Sequence, residues 1–257
     1  MKTTEESVVS AMDGDNTEIF PYLPYILQDF WEIGTSPEEV ITLIEKHIKN
    51  PSELHVLDLG CGKGAVSIRL SERFGCKCFG IDAIKEFIEE AGTKAKEYHV
   101  DALCLFKAGD IRDEIKTLEQ FDVIISGAVG PVFGNHGETL ITLQPHLKEN
   151  GYVIIDDGYL EDDSDFEYPR AVRRKDLFTQ IASANMMLVD EIMQTDEDDK
   201  SGEYDKQLEF VKKRCYELIS KYPEKKYLFE GYINSQKQEY ENLEQNLILS
   251  ILMITNK

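Results

Sequence analysis

Val56–Leu70 reads VLDLGCGKGAVSIRL, an apolar strand that passes through an acidic residue into a glycine-rich loop and then into a helix. Glycine lets the backbone approach a ligand closely and adopt conformations that other residues avoid. A helix that begins after such a loop directs free amide groups and a partial positive charge toward a bound ligand. The segment therefore predicts an α/β fold with a nucleotide-type cofactor site at this loop.

The spacing of the loop allows two interpretations of the cofactor. Gly60, Gly62 and Ala65 satisfy the pattern G-x-G-x-x-[GA], and Asp82 follows at about the 20-residue offset of a dinucleotide site. Asp58 and Gly64 instead complete the pattern D-x-G-x-G-x-G. A strand-to-helix turn that binds nothing is a third possibility, so the loop alone leaves the cofactor open.

Further strands follow, and two of them end in an acidic residue. Cys78–Asp82 is a short strand ending in a carboxylate, which can accept hydrogen bonds from two vicinal ribose hydroxyls. A third strand from Leu103 ends in Gly109-Asp110, and Phe121–Gly127 is a fourth. The segment Lys148–Asp157 indicates a helix end, a glycine turn at Gly151 and a fifth strand.

Taken in order, these motifs resemble the class I S-adenosylmethionine-dependent methyltransferases over roughly residues 36–195 and again at the final strand. The resemblance implies that the loop accommodates the methionine part of S-adenosylmethionine, and that Asp58 helps to hold its ammonium group. It also implies that Asp82 binds the ribose, that Asp110 and the Ile111 amide bind the adenine, and that Ser126 lies beside the methyl donor. The expected cofactor-binding residues are Asp58, Gly60, Cys61, Gly62, Gly64, Asp82, Ala83, Asp110, Ile111 and Ser126.

The fold that this resemblance implies is a Rossmann-like, seven-stranded, mostly parallel sheet with helices on both faces. Its last strand runs antiparallel between the fifth and sixth, and a helical insertion precedes it. We expect residues 1–35 to form an aromatic-rich lid, 36–195 the cofactor-binding core, 196–243 the insertion and 244–257 the last strand. The lid aromatics could instead cover a core edge. The insertion could roof the substrate pocket, pack on the sheet or contact a second subunit, so a homodimer is possible.

Composition narrows the class of acceptor. The formal net charge is −21, which opposes contact with nucleic acid and with anionic membrane surfaces. Ser126–Val129 lacks the Asn/Asp-Pro-Pro-aromatic tetrad with which related amino-methylating enzymes grip nucleic-acid bases or protein glutamines. These observations favour a small-molecule acceptor.

Other features of the sequence bear on location and on metals. An N-terminus without a secretory pattern, and the absence of any apolar run of about 18 residues, predict a cytoplasmic protein. The five cysteines show no disulfide framework, which suits a reducing compartment. Cys76 and Cys78 lack a second ligand cluster, so we expect no metal, and we interpret Cys61 as a packing residue.

The resemblance carries over no catalytic residue, because the cofactor itself supplies the electrophile. A general base is needed only if the acceptor must lose a proton. His136 and Asp157 are candidates, although His136 could cap the helix near Asn135 and Asp157-Gly158 has the composition of a turn.

Three functions therefore stay open. The first is S-adenosylmethionine-dependent methylation of a small molecule. The second is an NAD-dependent oxidoreductase that uses Gly60, Gly62, Ala65 and Asp82. The third is a non-catalytic relative that only binds S-adenosylmethionine.

Overall fold

The computed structural model describes residues 2–193 and 201–257. The described chain divides into two compact units. The sheet unit comprises residues 31–193 and 249–257, and the helical unit comprises the described parts of 1–30 and 194–248. The division falls after Phe30, so the last residues of the expected lid segment, 31–35, belong to the sheet unit.

The sheet has eight strands in the order β3-β2-β1-β4-β5-β8-β7, with the two-residue β6 paired to β5 outside this path. The strands are β1 His55–Leu59, β2 Lys77–Asp82, β3 Cys104–Ala108, β4 Phe121–Gly127, β5 Leu147–Leu160, β6 Val172–Arg173, β7 Met186–Met193 and β8 Ile248–Asn256. The pairs among β1 to β6 are parallel, and β8 runs antiparallel to β7. The predicted Rossmann-like sheet with an antiparallel last strand is confirmed, and β6 is an addition.

The helices alternate with the strands of the sheet and also build the helical unit. They are α1 Thr4–Ala11, α2 Leu23–Ile26, α3 Pro37–His47, α4 Ala65–Phe74, α5 Lys85–Glu97, α6 Ile111–Glu114, α7 His136–Leu143, α8 Arg174–Ser183, α9 Ser201–Lys221 and α10 Lys226–Gln245. Short 3-10 turns occupy Thr17–Tyr22, Pro51–Glu53, Ile115–Thr117, Gln144–His146 and Pro223–Lys225. Within the described residues, none of these helices has the length and apolar content needed to cross a membrane.

The core of the sheet unit forms where helix faces meet the sheet. Helix α3 begins at a Ser36 cap, whose side chain accepts from the Glu39 amide, with Pro37 in the first turn. Its apolar stripe, which includes Val40 and Ile44, is fully buried in a cluster with the interior residues of the central strands. This packing holds the carboxyl ends of β1 and β4 side by side, with Leu59 paired to Ser126.

Strand β5 differs from its predicted form at both ends. The expected glycine turn at Gly151 is instead an irregularity within the strand: Asn150 takes the left-handed conformation, with φ of 62°. The register with β4 shifts there, as in a β-bulge. The turn expected at Asp157-Gly158 is wrong, because β5 continues to Leu160, where it gains a partner in β6.

The helical unit has its own apolar core. Helix α9 buries the stripe Leu208, Val211, Cys215 and Leu218, and α10 buries Leu228, Phe229, Tyr232 and Ile233. From the N-terminal segment, the Tyr22 ring packs edge-on against Tyr222 and Phe229 at centroid distances of 5.7 and 5.1 Å. Tyr22, one of the aromatic residues expected in a lid, therefore packs with the insertion helices. The lid and roof functions stay predictions.

Candidate active site

The glycine loop between β1 and α4 has a backbone that other residues would distort. Gly60, Gly62 and Gly64 all have positive φ, and Gly64 is the left-handed residue preceding α4. A Cβ on Gly60 would lie 2.1 Å from Cγ1 of Val129. The Gly60 and Cys61 amides both donate to the Ile81 carbonyl, which ties the loop to β2. The loop is thus a close-fitting cradle of fixed shape.

Asp58 is a buried carboxylate beside this cradle. One of its oxygens accepts a 2.7 Å hydrogen bond from the Ser67 hydroxyl on α4. Burial raises the pKa of Asp58 to about 6, and the charge of Asp82 adds to the rise, while the Ser67 hydrogen bonds oppose it. A buried carboxylate of this kind is stabilised by a cationic partner, so Asp58 fits a ligand ammonium group.

Asp82 ends β2 and orders two backbone amides. Its carboxylate accepts from the Gly62 amide at 2.9 Å and from the Ile84 amide at 2.8 Å, with half-buried Ala83 between. Burial raises the pKa of Asp82 to about 6. Each carboxylate oxygen can accept more than one hydrogen bond, so the group can also receive two vicinal hydroxyls.

Asp110 and Ile111 lie at the start of the short helix α6, near Asp82. The Gly109 amide donates to the Asp82 carbonyl at 2.9 Å, which joins the two strand ends. Asp110 caps the helix by accepting from the Arg112 amide, and it pairs with the Arg112 guanidinium at 2.6 Å. Arg112 was not anticipated from the sequence, since a pair two residues apart at a strand end has no strong pattern. The Arg112 guanidinium takes up part of the hydrogen-bonding capacity of the Asp110 carboxylate, which we expected to bind an adenine.

A cleft lies against the loop and holds residues that the motif analysis missed. Ser126 is buried at the end of β4, beside Leu59. The lining is Trp31, Ile33, Thr35, Asp58, Gly60, Cys61, Gly62, Lys63, Ala65, Val66 and Gly127. Trp31 donates its indole N–H to the Lys63 carbonyl at 3.2 Å. Trp31 and Thr35 could not be placed from the sequence, because their position depends on how the segment before α3 packs.

Two loop side chains serve packing and charge balance. Burial raises the pKa of the Cys61 thiol well above its usual range, and the carboxylates of Asp58 and Asp82 add to the effect. The thiol therefore stays protonated and is a poor nucleophile. Lys63 is buried, and its ammonium lies 3.0 Å from Glu90. Within the described chain, no group of three or more His, Cys, Asp or Glu side chains is arranged to hold a metal ion.

The structure brings the two catalytic candidates together. His136 Nε2 lies 2.9 Å from Asp157 Oδ2. The residue that caps α7 is Asn135, which forms a reciprocal capping box with Glu138, so the capping role considered for His136 is not the observed one. Asp157 follows Asp156, the β-sheet partner of Gly127. The pair therefore lies at the carboxyl edge of the sheet, to which Ser126 also belongs.

The geometry discriminates between the two cofactor interpretations. A dinucleotide site presents loop amides to a diphosphate. Here the Gly60, Cys61, Gly62 and Gly64 amides all donate to acceptors within the protein. The buried carboxylate of Asp58 would also repel a diphosphate. A nucleoside that carries an ammonium group suits this cradle better.

Comparisons with known proteins agree with this geometry. The chain is 34% identical over 122 residues to a ubiquinone biosynthesis O-methyltransferase of Rickettsia akari, a match covering 46% of each protein. It is 38% identical over 94 residues to a release factor glutamine methyltransferase of Buchnera aphidicola, covering 32% of this chain and 33% of the relative. The matched part of the chain thus spans less than half the length of these curated relatives.

A solved structure and a family profile extend the likeness over most of the chain. A methyltransferase from Geobacter sulfurreducens, described as S-adenosylmethionine-dependent and solved with S-adenosylhomocysteine, has the same fold with a TM-score of 0.77 at 16% identity. That match covers 92% of this chain and 98% of the other. The family described as "methyltransferase domain" matches residues 50–245. The chain therefore belongs to the methyltransferase domain family, within the class I S-adenosylmethionine-dependent methyltransferases.

Proposed function

We propose that this protein transfers a methyl group from S-adenosylmethionine to a small-molecule acceptor. The observation that carries the proposal is the buried Asp58, whose pKa is raised and which lies beside the glycine loop. Asp82 accepts a hydrogen bond from the Gly62 amide of the same loop. Family membership and the names of the curated relatives support methyl transfer. The ligand of the Geobacter structure supports the choice of cofactor.

The proposed cofactor contacts follow the order of the strands. When bound, S-adenosylmethionine supplies a methyl group on a positively charged sulfur. Asp58 would hold the ammonium group and Asp82 the ribose hydroxyls, while Gly60, Cys61, Gly62 and Gly64 would form the floor of the site. Ala83 would border the ribose, Asp110 and the Ile111 amide would bind the adenine, and Ser126 would lie beside the reacting methyl group.

We further infer that His136 and Asp157 act on the acceptor. Asp157 contacts Nε2 of the imidazole, so it can hold the ring in place and accept a hydrogen bond from an Nε2–H tautomer. Nδ1 is then the nitrogen that would take the proton lost by an acceptor hydroxyl or amine. This role suits the O-methyltransferase named among the relatives.

The small size of the acceptor and the cellular location rest on composition. A net charge of −21 opposes binding to nucleic acid, and Ser126–Val129 lacks the tetrad expected for glutamine or base methylation. All five cysteines are free and buried, which supports a reducing compartment such as the cytoplasm. We also propose a homodimer through the helical unit, which sedimentation would test.

The first test is isothermal titration calorimetry with S-adenosylhomocysteine and, separately, NADH. We expect binding of the former alone, with a Kd on the order of micromolar. Asp82→Asn should weaken it by about tenfold or more, since it removes the charge that strengthens the ribose hydrogen bonds. Asp113→Asn, which removes an exposed carboxylate, is the matched control. Binding of NADH alone would favour the oxidoreductase, and binding of neither ligand would overturn the proposal.

The second half of the test is turnover. Deuteromethyl-labelled S-adenosylmethionine is incubated with a panel of phenols, amines and thiols, and products are read by mass spectrometry. His136→Gln should lower the rate on hydroxyl acceptors by about 10²–10⁴-fold while leaving S-adenosylhomocysteine affinity unchanged, and added imidazole should restore part of the rate. Cofactor binding without transfer to any acceptor would favour the non-catalytic relative.

A further inference from the structure

Lys63 lies in the glycine loop, between Gly62 and Gly64, and its side chain is fully buried. The residue is 1% exposed, and its side chain is 0% exposed. Lysine is almost never buried to this extent, because taking an ammonium group out of water is costly even when a partner compensates. The proposed cofactor contacts assign no role to this ammonium, so the buried charge calls for an explanation.

The buried side chain reaches one face of helix α5. Its ammonium lies 3.0 Å from Glu90 Oε2 and 5.6 Å from the centroid of the Phe87 ring. Residues three apart on a helix share a face, so Phe87 and Glu90 lie on the same side of α5. The loop also approaches this helix closely, since a Cβ on Gly64 would lie 3.0 Å from Cβ of Ala91. The Lys63–Glu90 ion pair therefore joins the loop to α5.

The backbone around Lys63 has little stiffness of its own. Gly62 and Gly64, on either side, have φ of 52° and 77°. Glycine has more conformational freedom in the unfolded chain than any other residue, so a loop with alternate glycines is costly to order. The contacts of Lys63 reduce this freedom from two sides, because its carbonyl accepts from the Trp31 indole N–H while its side chain reaches Glu90.

Helix α5 is also joined to the loop through Asp82, whose carboxylate accepts from the Gly62 amide and from the Ile84 amide that precedes the helix. We propose that Lys63 is a positioning residue, whose ion pair with Glu90 holds the glycine loop against α5 in the conformation that binds S-adenosylmethionine. A loop that is already ordered loses less entropy when a ligand binds. This inference rests on the proposed function of the site.

The first measurement compares two ligands on Lys63→Met by calorimetry. Methionine is unbranched and flexible like lysine but carries no charge. S-adenosylhomocysteine has the amino acid group that the loop is proposed to accommodate, and 5′-methylthioadenosine has the same nucleoside and sulfur without it. We expect Lys63→Met to weaken S-adenosylhomocysteine binding by about tenfold and 5′-methylthioadenosine binding by much less. Equal losses for both ligands, or no loss for either, would overturn the inference.

The partner carboxylate allows a matched test of the same contact. Glu90→Gln removes the charge at nearly constant shape and should also weaken S-adenosylhomocysteine binding. Glu89→Gln removes a neighbouring charge on α5 that is 63% exposed and pairs with Lys85, so it should leave binding unchanged. The double variant, Lys63→Met with Glu90→Gln, should bind no more weakly than Lys63→Met alone, because both substitutions remove one contact. Additive losses would show independent effects and contradict the proposal.

Melting curves of the ligand-free variants separate positioning from a purely structural role. Replacing both members of a buried ion pair by uncharged residues is often close to neutral, so the double variant should melt near the wild type while its affinity stays reduced. A lower melting temperature with unchanged affinity well below the transition would show a structural role alone and overturn the inference. If the wild type fails to bind S-adenosylhomocysteine, the proposed function fails as well. A wild type that binds, with an unaffected Lys63→Met variant, overturns this inference only.

Discussion

At the scale of single residues, Asp58 and Asp82 show how burial changes a carboxylate. Both are buried at strand ends, and burial raises the pKa of each from 3.8 to about 6. The folded protein therefore holds a proton on these groups more tightly than the unfolded chain does. Stability is retained at low pH and is lost as the pH rises from about 4 through 6. Near neutral pH the buried negative charges of Asp58 and Asp82 lower the stability of the fold, and the same charges are available to bind a ligand.

Asp58→Asn should therefore stabilise the ligand-free protein near neutral pH. A shift from 3.8 to about 6 corresponds to about 3 kcal/mol, and Asn can still accept the Ser67 hydrogen bond. We expect the free energy of unfolding at pH 7.5 to rise by about 1–3 kcal/mol, and affinity for S-adenosylhomocysteine to fall. Urea unfolding at several pH values measures the first effect.

The pH dependence of this stability gain distinguishes the removal of a buried charge from other causes of stabilisation. The gain of Asp58→Asn should shrink toward zero between pH 6 and 4, where the wild-type carboxyl becomes protonated. Asp113→Asn changes the net charge equally at an exposed site, and it should show no comparable gain. A gain that is constant with pH, or equal in both variants, would contradict the explanation by burial.

At the scale of elements, helix α4 lies between two left-handed glycines with different surroundings. Gly64 precedes the helix with φ of 77°, and Gly75 follows it with φ of 73°. A Cβ on Gly64 would lie 2.8 Å from the Phe106 ring, whereas one on Gly75 would meet nothing within 4 Å. Alanine substitutions at these two glycines therefore separate two contributions to the free energy of unfolding: the cost of a left-handed backbone conformation and the cost of steric overlap.

We expect Gly75→Ala to lower the free energy of unfolding by about 1 kcal/mol, the cost of the left-handed conformation. Gly64→Ala should cost about 1–3 kcal/mol more, because the new methyl group overlaps Phe106. It should also weaken S-adenosylhomocysteine binding, which Gly75→Ala should leave intact. Denaturant unfolding and calorimetry measure the two effects. Equal destabilisation by both substitutions would show that the Phe106 ring moves to accommodate the new methyl group, which would contradict the expected cost of overlap.

At the scale of the whole molecule, repulsion between negatively charged side chains lowers the stability of the folded state. The chain has 49 acidic against 28 basic residues. Many acidic residues still pair locally, as Asp190 does with Lys46 at 2.7 Å, and its hydrogen bonds to His47 and Lys46 lower its pKa to about 2. The excess negative charge beyond such pairs destabilises the compact state.

Added salt should therefore stabilise the protein. Raising NaCl from about 0.02 to about 0.3 M shortens the Debye length from about 20 to about 6 Å, which screens this repulsion. A gain of about 1 kcal/mol would raise Tm by about 2–4 °C, read by calorimetry or dye fluorescence. Choline chloride should act equally, since screening does not depend on which cation is present. A falling Tm would show that local ion pairs dominate.

The sequence could predict the parts of the fold that depend on local pattern. Strand and helix periodicity placed β1, β2, β4 and α3 within a residue or two, and the motif order indicated the sheet and its antiparallel end. The prediction was wrong at Asp157-Gly158, where β5 continues because β6 provides a partner. A dipeptide's turn composition gives way when long-range pairing satisfies the backbone.

The candidate site shows the same division. The sequence by itself determined the glycine loop and the acidic strand ends, because backbone conformation and strand polarity are local properties that place Asp58, Asp82 and Asp110 at one edge. Only the tertiary structure decided that His136 meets Asp157, that Arg112 pairs with Asp110 and that Thr35 enters the cleft. The first and the last of these depend on packing between segments that are distant in the chain, and the Asp110–Arg112 pair depends on the side-chain conformations that the two residues adopt.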